Sequence, residues 1–442
     1  MQQNENEILA RARRSLASIL RWLKPGIGIK RWFLLVLIGT TIISVGIADI
    51  LLDIIRQASS FSRVLYYSTL LFIAPAIRTA IFGSLGFILI GVGIWGLNRT
   101  LLQPFIRPGR PVLDAVASYR RRERGPRIVV IGGGHGQATL LRGLKEYTHN
   151  LTAIVTVADD GGSSGRLRDS MGILPPGDIR NCLAALSSDE DMITQLFQYR
   201  YADGGGVLDG HSFGNLFISA LSELTGSFEE AVAESGRVLS VFGQVLPSTL
   251  HDVRLVADKA LPHLMSEVRV KGESVIPQVA GEVRRVWLEP DSPPAFPKAV
   301  QSLLAAEMVV IGPGSLYTSI LPNLLVPDIA SALRSSGAFK VFVCNVTTQP
   351  GETDGYTCGD HLRSFVTHVG RGIFDLAVVN TRQDETLPEG VNWVQIEPDL
   401  EVNYAVYRAD LADSDHAGKH DAAKLSKALM DLLMERTGPL VN

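Results

Sequence analysis

Only three cysteines, Cys182, Cys344 and Cys358, occur in 442 residues. They are too few and too scattered for a disulfide framework, and the lack of any C-x-x-C pair removes the usual signature of a zinc site. The globular part therefore reads as cytosolic. Net charge is also small, -3 at pH 7. The basic residues that stand out crowd before Lys145 and do not cover a reading surface, so no nucleic-acid partner is expected. Internal repeats and low-complexity tracts are absent. What is present is apolar material: 46% of residues are hydrophobic and 20% charged. That suffices for a large core in more than one structural unit and excludes a disordered or collagen-like chain.

Three zones follow one another. Residues 1–31 form an arm carrying Arg11, Arg13, Arg14, Arg21, Lys24, Lys30 and Arg31, a composition suited to lying on an anionic surface. A membrane region is expected over 32–98. Its first run, 32–52, is apolar except for Asp49, and its second, 79–97, follows Arg78 and carries Trp95 near its far end; each has about the length of a bilayer span. The apolar stretch between them contains Pro75 and is short, which fits an interfacial or re-entrant piece better than a third span. Two buried core helices are the bland alternative, and the length of both runs argues against it. A cleaved signal peptide fits poorly, because the first run starts late and a second follows. Basic residues flank the pair on both sides, with Arg99, Arg107, Arg110 and Arg120 to Arg122 in a linker over 99–124. The expectation is a multi-pass protein of the cell membrane with both termini and the main domain in the cytoplasm.

From 125 to 442 the pattern changes to short β-branched runs alternating with helical stretches and glycine-rich turns, an α/β domain with a mostly parallel sheet. Strands are predicted at 127–131, 151–157, 308–311, 340–345 and 375–380, and a helix-prone outer tail at 409–436. The first strand runs into Gly132, Gly133, Gly134, His135 and Gly136 and then a helical stretch. Glycines let backbone approach an anion, and the free N–H groups of a helix start favour negative charge. Gln137 stands where the third glycine of G-x-G-x-x-G would fall, so this is not the standard dinucleotide fingerprint and nicotinamide binding is weakly supported. A purely structural turn needs fewer glycines.

The second strand delivers Asp159 and Asp160, followed by Ser163, Ser164, Arg166 and Arg168. Paired aspartates suit hydroxyl recognition or a Mg2+ ion beside phosphate, and the arginines suit an anionic clamp; a solvated turn is the alternative. In Leu-Pro-Pro-Gly-Asp-Ile-Arg-Asn, Asp178 is placed to cap a helix. His211 reads as a structural hydrogen-bonder, and Asn215 offers a donor and an acceptor to a base or sugar edge. A second strand-to-glycine turn brings Gly314 and Ser315, and Thr347 to Thr353 form a further polar loop. These loops crowd phosphate and hydroxyl contacts without a nucleophile, a general base or a complete metal set.

In this order the loops resemble the gluconeogenesis-factor family, related to the 2-phospho-L-lactate transferases that help build the deazaflavin coenzyme. The resemblance runs from Arg127 to about Thr357 or beyond and rests on the words Ala-Asp-Asp-Gly-Gly-Ser-Ser-Gly-Arg-Leu-Arg, His-Ser-Phe-Gly-Asn-Leu, Ile-Gly-Pro-Gly-Ser-Leu-Tyr-Thr-Ser and Thr-Gln-Pro-Gly-Glu-Thr. It implies a Rossmann-like, doubly wound core and a regulatory protein that binds a nucleotide sugar, a UDP-sugar, with influence on carbon use, envelope synthesis and cell shape. It also implies ligand contacts from the Gly132 to Gly136 loop, Asp159, Asp160, Asn215 and Arg285. His135 occupies a place where many relatives have threonine. Envelope-synthesis proteins and a second copy of the chain are the expected protein partners. The alternative function is a transferase moving a phosphate-linked group from a nucleotide-activated donor.

Overall fold

The computed structural model describes residues 122–442 apart from 188–191, 203–205, 262–265, 385 and 438–442, and before 122 only scattered positions between 40 and 91. The chain divides into two compact units, Met1–Tyr119 and Arg120–Asn442. The basic arm, most of both predicted spans and most of the linker lie outside the described residues. Among the described residues no single helix is long and apolar enough to cross a membrane. One bent pair, Leu316–Leu324 with Pro327–Ser335, passes on length and composition, but its Leu316, Leu321, Ile329 and Leu333 are fully buried, as in a core helix.

In the second unit, β-branched runs make a seven-stranded sheet from β1 (Ile128–Gly132), β2 (Leu151–Val155), β3 (Gln244–Pro247), β7 (Met308–Ile311), β8 (Phe339–Val343), β9 (Leu376–Asn380) and β10 (Val406–Ala409). The order is β10-β9-β8-β7-β1-β2-β3, and every pair is parallel. This is the Rossmann-like, doubly wound arrangement, with parallel strands covered on both faces. Alternation along β1 shows why. Val129 and Ile131 pack with the helices Pro297–Ala305, Pro327–Ser335 and Cys358–Val369. Ile128 and Val130 pack with Gly134–Leu144, Gly177–Leu186, Phe228–Val238 and Ala422–Thr437 on the other face.

Three features depart from the sequence expectation. β3 and β10 were not foreseen; both are four-residue edge strands, too short to show a period. An antiparallel sheet of β4 (Arg254–Ala260), β5 (Glu267–Lys271) and β6 (Glu282–Glu289), ordered β5-β4-β6, is inserted between β3 and β7. Its charged residues alternate with Leu255, Ala257, Val270, Val286 and Leu288, which enter the main core. The expected helical tail at 409–436 is helical only over Ala422–Thr437; residues 410–421 form a loop that returns toward the sheet.

Candidate functional site

The chain leaves β1 and β7 toward opposite flanks of the sheet, so a crevice opens between them beyond the carboxyl ends of the strands. A cavity of about 430 Å³ occupies it. On one side the chain turns at Gly133 into the helix Gly134–Leu144, whose N-cap residue has no side chain to cap it. Gly134 adopts φ +65°, a left-handed conformation that favours glycine. A Cβ on Gly133 would lie 2.6 Å from Asp178 Oδ2, and one on Gly136 would lie 2.7 Å from the Pro313 carbonyl oxygen. The first and second glycine turns are thus pressed against each other. Gln137 explains its place: buried, its amide donates to the carbonyls of Val130 at 2.9 Å and Ile154 at 3.0 Å, joining β1 to β2.

Carboxylates gather at one end. Asp159, Asp178 and Glu273 line the cavity. Burial raises the Asp159 carboxyl. It pushes Asp178 up to about 6, with the charge of Asp159 adding to it. Glu273 is pushed up to about 8 by burial and then by Asp159 and Asp178. Behind them Glu352, pushed up to about 7 by burial, accepts the hydroxyl of cavity-lining Thr318 at 3.1 Å. His135, Lys419 and His420 also line the cavity. His135 is held below its usual range by burial and by Lys419. His420, buried and pushed down to about 4, lies 3.2 Å from the Cys344 carbonyl through Nε2. The cavity thus joins neighbouring carboxyl groups, glycine-loop amides and the ammonium group of Lys419, an arrangement suited to a phosphate-bearing, hydroxyl-rich molecule.

Of the residues singled out from sequence, Gly133, Gly134, His135, Gly136, Asp159, Gly314 and Ser315 line this cavity. Gly132 stands just behind it, its carbonyl accepting from Asn323 Nδ2 at 2.9 Å. Asp160 turns away and accepts the Ser274 N–H at 2.9 Å. Ser163 and Ser164 are buried; Ser163 Oγ lies 3.0 Å from His211 Nδ1 and 3.0 Å from Asn215 Nδ2, while Ser164 Oγ accepts the Gly177 N–H. Asn215 is 2% exposed and outside the cavity lining. Arg166 donates to the Asp209 carbonyl, and Arg285 on β6 lines a separate cleft with His368 and Trp287. Asp178 does not cap its helix: Pro176 holds that place without a side-chain bond, and Asp178 instead takes a hydrogen bond from the Gly134 backbone.

Among the described residues no three His, Cys, Asp or Glu side chains form a group able to hold a metal ion. The paired aspartates are split, Asp159 accepting the Gly161 N–H and Asp160 the Ser274 N–H, so together they make no cage for Mg2+. Sequence reasoning missed Glu273, Lys419 and His420. Each sits in a polar turn after a strand, β5 or β10, that had itself gone unrecognised.

The sequence pattern of the family described as 2-phospho-L-lactate transferase CofD matches residues 128–412, more than half of the chain. A gluconeogenesis-factor relative from Nostoc sp. is 46% identical over 375 residues, covering 82% of this chain and 79% of its own. One from Clostridium acetobutylicum is 38% identical over 431 residues, covering 94% and 92%, so that likeness reaches into the N-terminal unit. A crystal structure of a UPF0052-family protein from Bacillus halodurans superposes with a TM-score of 0.64 at 40% identity, covering 70% of this chain and 99% of that one. By pattern, by identity and by fold, the chain belongs to the CofD family, among its gluconeogenesis-factor members.

Proposed function

We propose that this protein is a membrane-anchored regulator that binds a nucleotide sugar, a UDP-sugar, and ties its level to carbon metabolism, envelope synthesis and cell shape. The observation that carries the reading is the cavity at the β1/β7 switch point, which joins neighbouring carboxyl groups to a lysine and to glycine-loop amides. The glycine-rich helix start and Lys419 suit the diphosphate, and the carboxyl groups of Asp159 and Glu273 suit sugar hydroxyls. No nucleophile paired with a base stands out along the lining residues, which favours binding over turnover.

Anchoring rests on the two apolar runs at 32–52 and 79–97. In and beside them the described apolar positions are exposed, including Ile47 at 53%, Phe87 at 61% and Ile88 at 59%, as lipid-facing side chains would be. Tethering would concentrate the sensor beside envelope-building enzymes without any new contact.

Calorimetric titration of residues 124–442 with UDP-sugars, guanosine diphosphate and dinucleotides, beside an Asp159→Ala variant, tests the ligand class. Selective UDP-sugar binding, abolished by the substitution and without turnover, is the expected result. Preference for guanosine diphosphate with turnover of a phosphate-linked donor would replace this reading by the transferase one.

A further inference from the structure

The inserted sheet β5-β4-β6 is not needed to complete the parallel sheet, yet it reaches the cavity through one turn. Gly272, at φ +111°, follows β5, and its N–H is tied to the Leu255 carbonyl at 2.8 Å. The next residue, Glu273, lines the cavity. Its carboxyl group has no hydrogen-bond or ion-pair partner among the described residues, although Asp160, Ser274, Thr318 and Glu352 in the same neighbourhood are all engaged. An acceptor left open in a cavity wall is a place for a ligand donor.

What holds the turn there is Lys259 of β4. This lysine is 0% exposed, a costly position for an ammonium group unless its donors are satisfied. Its Nζ donates to the Ile276 carbonyl at 2.9 Å, the Gly351 carbonyl at 2.8 Å and the Val279 carbonyl. Ile276 and Val279 belong to the turn carrying Glu273; Gly351 precedes Glu352. Backbone meets backbone at this junction, since a Cβ on Gly351 would lie 1.9 Å from the Pro277 carbonyl oxygen. One ammonium group therefore clamps the Glu273 turn to the loop after β8, and the Asp160 carboxylate pins the same turn from the β2 side.

We propose that Glu273 is the residue through which the cavity recognises a hydroxyl donor on the sugar half of its ligand, and that Lys259 is the positioning residue that sets it there. This rests on the nucleotide-sugar reading and adds the residue that tells a UDP-sugar from plain uridine diphosphate. A lysine serving only the core would, when altered, weaken both ligands alike through general loosening. A lysine positioning Glu273 would change their ratio.

The test titrates the full-length chain with uridine diphosphate and with UDP-glucose. Glu273→Ala is expected to weaken UDP-glucose about tenfold, the scale of one lost hydrogen bond, and to leave uridine diphosphate unchanged. Glu273→Gln keeps an acceptor and should retain most of the preference. Lys259→Met should reproduce the Glu273→Ala ratio and add nothing to it in the double variant. Equal weakening of both ligands by Glu273→Ala, or no weakening, overturns the proposal while leaving the nucleotide-sugar reading intact. Additive effects of Lys259→Met and Glu273→Ala overturn the positioning role alone. Should Lys259→Met not fold, Glu273→Ala against Glu273→Gln still decides the recognition role, and loss of the sugar preference in a folded Ile276→Pro variant, which disturbs the same turn, decides the positioning role. Absence of binding of either ligand to the unaltered chain overturns both readings.

Discussion

Single atoms decide much at this site. Gly136 has a carbonyl oxygen 2.7 Å from where a Cβ would stand, and that oxygen belongs to backbone, which cannot swing aside. Gly136→Ala should therefore push the two glycine turns apart, costing about 1–3 kcal/mol by overpacking and a larger share of ligand affinity, measurable by urea unfolding and calorimetry on one preparation. Glu273 makes a prediction in pH. Its folded value of about 8 lies above its ordinary 4.5, so between these values the folded state keeps a proton that the unfolded chain releases. The stability this proton represents is fully present below about pH 4.5 and is lost as pH rises toward 8. Glu273→Gln should remove that loss, so unfolding free energies of the variant and the unaltered chain should converge at pH 5 and separate by a few kcal/mol in favour of the variant at pH 8. Equal slopes would mean that the carboxyl is not held in its buried place. The glycines and Asp159 were legible residue by residue because glycine density and strand-end position are local signals. Asn215 and Arg285, which the resemblance implies as ligand contacts, lie outside the cavity lining, since only packing tells whether a polar side chain faces the cavity or, like Asn215, turns to Ser163.

At the scale of elements, the first strand, turn and helix form the part that sequence pattern described best. Gln137 belongs to this scale because its amide joins two strands. Gln137→Leu should keep the volume and lose the two hydrogen bonds to the Val130 and Ile154 carbonyls. A destabilisation of about 1–3 kcal/mol is expected, read as a shift of the urea midpoint with unchanged slope. A change in slope would instead indicate that β2 has come away from β1. The predicted central strands agree with the observed ones to within two residues, because buried parallel strands read as continuous β-branched runs. The inserted sheet escaped notice because its strands are half-exposed and carry Arg254, Lys259, Arg269 and Arg285 among their apolar residues. The tail misled for a related reason: its acidic composition suits a helix throughout, whereas residues 410–421 turn, with Asp413 accepting the Asp415 and His416 N–H groups.

For the whole molecule, the second unit has its own core on both faces of the sheet. A fragment of residues 120–442 should therefore unfold cooperatively in urea without detergent. The full-length chain should sediment with membranes and resist extraction by alkaline carbonate, while the fragment stays in the supernatant. Release of the full-length chain by carbonate would remove the anchoring proposal and leave the ligand site untouched.

The sequence alone determined the α/β class, the order of the phosphate-type loops and the family, because these depend on local periodicity and on short words whose chemistry is carried by neighbouring residues. Only the tertiary structure decided which side chains share the cavity. Asp178, Glu273, Thr318 and Lys419 come from elements up to 241 positions apart, a distance in sequence that leaves no local trace. They meet because the sheet order places β1 beside β7 and because a buried lysine holds the inserted turn at the mouth of the crevice.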